Sequence, residues 1–115
     1  MIIKISDLTG PNCISYSDGL RIYDLLHSSL QKDSSVELDF EGVRVLVSVF
    51  LNAAIGRLLE DYSVEDLNRT LRISNLPAGG EETLRRVIET SNDYYHHPQV
   101  REALDKILTE RVAEV

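Results

Sequence analysis

Tryptophan is absent from the 115 residues, aromatic side chains make up 6% of them, and there is a single cysteine. An interior drawn from this stock must be aliphatic. One cysteine, Cys13, excludes an intramolecular disulfide, so packing alone must hold the fold. No apolar run approaches the roughly 20 residues of a membrane-spanning helix. The opening MIIKISDL lacks the basic segment and long apolar stretch of a signal peptide. These absences predict an intracellular, cytoplasmic chain with no membrane partner. Positive charge is also scarce, with 12 Lys and Arg against 19 Asp and Glu, a net charge of −7 and a pI near 4.8. That balance repels phosphate backbones and anionic headgroups, so no nucleic-acid partner is expected. Arg69, Arg72, Arg85 and Arg86 are the one place where basic residues gather.

What is present supports one domain over residues 1–115, because the length suits a single core and 43% of the residues are hydrophobic. Residues 2–8 alternate apolar and polar, the pattern of a first strand. Thr9-Gly10-Pro11-Asn12 is turn chemistry, and Cys13-Ile14 would return as a second strand in a hairpin. Ser17 is placed as the N-cap of a helix ending near Gln31, with Ile22, Leu26 and Leu30 on its inner row. Val36, Leu38 and Phe40 alternate with Glu37 and Asp39 in a strand that Glu41-Gly42 ends. A helix is expected over residues 48–62, with rows Phe50-Ala54-Leu58 and Leu51-Ile55-Leu59 facing the core.

Residues 61–69 read as a charged connector, residues 70–74 as a strand and residues 75–80 as a loop. A helix follows over residues 81–90, a break over residues 92–98, and a last helix over residues 98–112. The core then spans about residues 2–90, with a helical extension over 91–115. Strands alternating with helices make this an α/β fold, a small sheet of about four strands with helices packed on it.

Several residues invite chemistry. Glu37 and Asp39 share one strand face, but a catalytic carboxylate pair flanks its substrate across a cleft, so a solvated or salt-bridged face is the plainer reading. His96-His97 has no metal-ligand spacing, and no metal or cofactor is expected. Cys13 with His27 is a weak nucleophile pair. Gly79-Gly80 lacks the lysine of a phosphate loop and precedes two glutamates. Ser48 is a good residue for a helix N-cap. Asn52, Gly56 and Glu60 continue its row along a small, polar helix face. Gly56 implies a close approach by another backbone, from within the chain or from a partner.

VELDFEGV, the Ser48-centred junction and FLNAAIGRLL after it resemble the STAS-like domain of unknown function, a divergent relative of the STAS domains of anti-sigma-factor antagonists. SYSDG before the first long helix and LRISNL fit the same family. The resemblance covers about residues 2–90. It implies a mixed sheet with helices on one side and a non-catalytic role in regulation and signal transduction. A partner, in the antagonists a histidine-kinase-like ATPase, would bind at the start of the helix after the LDFEGV strand. Val47, Ser48, Val49, Asn52 and Gly56 then form the expected binding surface, with Ser48 in the position of the phosphorylated serine. The antagonist pattern Asp-Ser-Ser-Gly is here Val47-Ser48-Val49-Phe50, without the acidic residue. The alternatives are a small hydrolase or transferase using His96 or His97 with nearby carboxylates, and a structural subunit forming a homodimer through its last helix.

Overall fold

The structure is a computed structural model and describes residues 1–32, 35–96 and Lys106. Chain order among them is β1 (Ile2–Lys4), α1 (Ile5–Thr9), β2 (Asn12–Cys13), α2 (Tyr16–Gln31), β3 (Val36–Asp39), β4 (Val45–Leu46), α3 (Ser48–Ala54), a 3₁₀ turn (Gly56–Glu60), α4 (Val64–Thr70), β5 (Leu71–Ser74) and α5 (Gly80–His96). The α/β class is as expected, with the strands shared between two parallel sheets, β1-β3-β5 and β2-β4.

The register of the larger sheet sorts its side chains. Ile3 pairs with Leu38 and Leu38 with Ile73, on the face toward the helices. Ile2, Glu37 and Arg72 align on the opposite face, as do Lys4, Asp39 and Ser74. One face is thus apolar and the other largely charged or polar, which puts the helices on one side. Below them the core is aliphatic except for Cys13, Phe40 and Phe50, each at most 1% exposed.

The close packing of α2 on α3 depends on Gly19. A Cβ there would lie 2.5 Å from the Phe50 carbonyl oxygen and 2.7 Å from the Ala53 Cβ. The expected inner row Ile22, Leu26 and Leu30 is buried. Leu25, next to Leu26 on the same helix, is 41% exposed.

Several boundaries differ from the sequence reading. Residues 2–8 do not form one strand, because the chain turns helical at Ile5 and buries that side chain completely. The β1-β2 hairpin does not form. β2 instead pairs in parallel with β4, aligning Cys13 with Leu46. Ser15, not Ser17, caps α2, its Oγ accepting the Asp18 N–H at 3.1 Å from an extended backbone.

The helix expected over residues 48–62 ends at Ala54 and continues as the 3₁₀ turn, although both of its expected apolar rows are buried. The connector 61–69 contains α4, started by a reciprocal capping box between Ser63 and Asp66. α5 passes through the expected break to His96. The last expected helix lies outside the described residues, apart from Lys106, which is helical and exposed.

Candidate partner-binding surface

The LDFEGV strand ends at a turn, and the chain re-enters extended structure as β4 before α3 begins. Extended backbone persists through Val47, whose N–H donates to the Cys13 carbonyl at 3.1 Å. Val47 is therefore the N-cap, and it has no side-chain oxygen to offer. The expected cap role of Ser48 is corrected on this point. Ser48 is the first residue of α3, exposed, and no side chain caps the helix.

Val49 and Asn52 are exposed beside Ser48, and Val47 is half-buried. Gly56 is buried instead. A Cβ there would come within 2.5 Å of Ser91 Oγ on α5, so the close approach is made inside the chain and by a side chain, not by the other backbone expected. The row Ser48, Asn52, Gly56 and Glu60 is consequently exposed at every position but Gly56.

β2 widens this surface, a contribution the sequence reading missed. Ile14 follows Cys13, which pairs with Leu46 and accepts the Val47 N–H, while Gly19 seats the first turn of α2 against α3. Ile14 is 54% exposed, Tyr16 49%, Val45 44% and Val49 48%. Four of the seven large apolar side chains left exposed among the described residues thus lie, in the chain, at or just before the starts of α2 and α3, two helices that Gly19 packs against each other. The available signal was the apolar pair Ile14 and Tyr16, but its neighbours depend on a parallel pairing that the hairpin reading excluded.

On the other flank of α3 a groove of about 510 Å³ runs between α3 and α5. Ser48 and Asn52 line one wall, Thr83, Arg86 and Thr90 the other, and Val87 lies at its base.

Glu37, Asp39, Cys13 and His27 have partners of their own. Glu37 accepts the Ser74 hydroxyl at 3.1 Å, and Asp39 accepts the Asn75 side-chain amide and the Glu41 N–H, each at 2.9 Å. The Asn75 hydrogen bond, then the Glu41 N–H, hold the Asp39 carboxyl below its ordinary pKa. These carboxylates tie β3 to the end of β5. Asn75 has φ +56°, a left-handed conformation that asparagine tolerates better than most residues.

Cys13 is fully buried, with its sulfur 3.3 Å from Thr9 Oγ1. Burial pushes the Cys13 thiol pKa up, the Asp18 charge adds to this, and the Thr9 contact works against it. His27 instead pairs with Asp61 at 2.8 Å, between the Tyr23 and Tyr62 rings. Cys13 and His27 therefore have separate partners. His96 is exposed at the end of α5, and His97 lies outside the described residues. Among the described residues no group of three or more His, Cys, Asp or Glu side chains could hold a metal ion. No helix among them is long and apolar enough to cross a membrane.

A parallel sheet covered by helices on one side, followed by a strand-serine-helix junction, defines a STAS-like module. Residues 18–81, more than half of the chain, match the family described as the STAS-like domain of unknown function, and the chain belongs to that family. The matched span runs from the first turn of α2 through β3, α3 and β5 to the start of α5. Comparison with curated proteins and with solved structures finds no match.

Proposed function

We propose that this chain is a non-catalytic regulatory module that binds a protein partner through the starts of α2 and α3. The observation that carries the reading is the exposure of Ile14, Tyr16, Val45 and Val49, which flank the starts of two helices packed on each other, together with the exposed Ser48 and Asn52 on the second of them. An exposed apolar cluster with polar neighbours is the usual composition of a contact surface. Ile14 follows β2 and Val45 lies in β4, so the paired strands fix the backbone at or next to both residues, which supports the reading.

The partner class follows from the family resemblance, a protein with a histidine-kinase-like ATPase domain. Ser48 is the candidate phosphorylation site. It is exposed, and a phosphate there would put about −1.5 to −2 charges beside Val47 and Val49, against any apolar contact made by the partner. Phosphorylation in this reading releases the partner. The missing acidic residue before Ser48 changes what a kinase must recognise but leaves the contact surface in place.

The test is capture of partners from native lysate with wild type, Asn52→Arg and Ser48→Asp, followed by titration of the purified partner. The expected result is an ATPase-domain protein retained by wild type and bound at least about tenfold more weakly by both variants, a loss near 1.4 kcal/mol. Both substitutions are at exposed positions, so the melting temperature should stay put. Unchanged affinity in both variants would remove this surface from the binding reaction.

A further inference from the structure

The groove between α3 and α5 differs in its charged lining from four other grooves among the described residues of this acidic chain. Four further surface grooves of 380 to 530 Å³ each include at least one carboxylate residue in their lining, such as Glu37, Glu81 or Asp24. The α3–α5 groove has none, and Arg86 is its one charged residue. Ser48 and Thr90 add hydroxyls and Asn52 adds an amide, and none of these three makes a side-chain hydrogen bond to another described residue. Thr83 already donates its hydroxyl to the Gly79 carbonyl, which leaves its oxygen as an acceptor.

Arg86 can be recruited to this groove. Its Nε is 3.4 Å from Glu82 Oε1, a long contact between two well-exposed side chains. Such a pair is worth little in water. Glu82 also pairs with Arg85, so a departing Arg86 does not leave that carboxylate alone. A guanidinium presents a planar fork of donors suited to a phosphoryl group, and a dianion competes well against a shared carboxylate. Arg86, Thr83 and Thr90 lie beyond the matched span of residues 18–81, so this wall of the groove is a feature of the chain outside the family match.

We propose that the α3–α5 groove is a phosphoryl-binding site in which Arg86 is the receiving side chain. Two sources share this chemistry. One is a phosphate ester on Ser48 itself. The other is the free phosphate group of a small ligand. In the first case the Ser48 oxygen bonds to the γ-phosphorus of a nucleoside triphosphate, the bond to the β-phosphate oxygen breaks, and the hydroxyl proton leaves to solvent as the diphosphate departs. The phosphate then turns toward Arg86 and ties α3 to α5, which gives the modification a structural consequence besides repulsion. This case deepens the proposed function by naming what reads phosphorylated Ser48. It does not require the partner to be known, so its failure leaves the partner-binding proposal standing.

The test uses the full chain with phosphoserine incorporated at position 48, compared with unmodified protein titrated with inorganic phosphate. The phosphorus resonance is followed against pH in wild type and in Arg86→Gln, and the Arg86 side-chain Nε–H is followed by nitrogen NMR in wild type. If Ser48 is the source, the second phosphate pKa, ordinarily about 6, is lower in wild type than in Arg86→Gln, and the Arg86 Nε–H shifts only in the modified chain. If a free ligand is the source, inorganic phosphate gives a saturable Arg86 shift in unmodified protein that survives Ser48→Ala. Arg86→Lys should restore part of the pKa difference, because it keeps the charge and loses the fork. A phosphate pKa identical in wild type and Arg86→Gln, with no saturable shift on adding phosphate, would overturn the proposal.

Discussion

At the scale of single residues the fold is most sensitive where backbone meets backbone. Gly19 is such a place, since the atom nearest to an added Cβ is the Phe50 carbonyl oxygen rather than the end of a flexible side chain. Gly19→Ala should cost about 2 kcal/mol through overpacking, read as a lower urea midpoint with an unchanged slope. A neutral result would mean that α2 can slide on α3 at no cost. Gly56 has a softer neighbour, because Ser91 Oγ can rotate away from an added Cβ. Asp39 gives a pH prediction. Its folded pKa lies below the ordinary 3.8, chiefly through the Asn75 hydrogen bond and then the Glu41 N–H. Its stabilisation is therefore complete above the unfolded value and is lost as pH falls through the folded one. Asp66 adds a second group of the same sign, held down by the Ser63 backbone N–H first, then by the Ser63 hydroxyl and Arg69. Asp39→Asn should flatten the loss of stability below about pH 4 in denaturant midpoints measured from about pH 2 to 7. An unchanged acid limb would assign that slope to other groups.

At the scale of elements, the strong periodic signals were legible and the short elements were not. The alternation of β3 and the fourfold spacing of Ile22, Leu26 and Leu30 each report a buried face, and burial is what periodicity encodes. α4 escaped because Asp66 rather than Glu or Gln closes its capping box, and its seven residues bury one side chain, Leu67. Ser63→Ala should therefore cost about 1 kcal/mol, and faster amide exchange confined to α4 would mark the loss as local. Ser15 and Ser17 lie two residues apart and both precede the helical pattern. The backbone chose Ser15 because Tyr16 is already helical. The split after Ala54 was hidden because apolar rows continue through it unbroken, the α3 and 3₁₀ segments burying Phe50, Ala54 and Leu58 alike. The pairing of β2 with β4 is non-local and two residues long, and a two-residue strand carries no period to read.

At the scale of the whole molecule, the family and the α/β architecture were legible because VELDFEGV and the helix after it hold both the strand and its turn. The candidate surface was only half legible. Val47, Ser48, Val49 and Asn52 are close together in sequence, whereas Ile14, Tyr16 and Arg86 reach the same region through β2, α2 and α5. The ladders on the opposite sheet face, Ile2-Glu37-Arg72 and Lys4-Asp39-Ser74, give an internal control surface in which Ile2 is the one large apolar side chain among charged and polar ones. The central claim is that the partner binds at the helix starts and not on that face. The most direct measurement places a photo-crosslinking residue at Val49 in one variant and at Arg72 in another, with irradiation in native lysate. The account predicts a discrete crosslinked product from position 49 that Asn52→Arg abolishes, and none from position 72. A product from position 72 alone, or one from position 49 indifferent to Asn52→Arg, would contradict it.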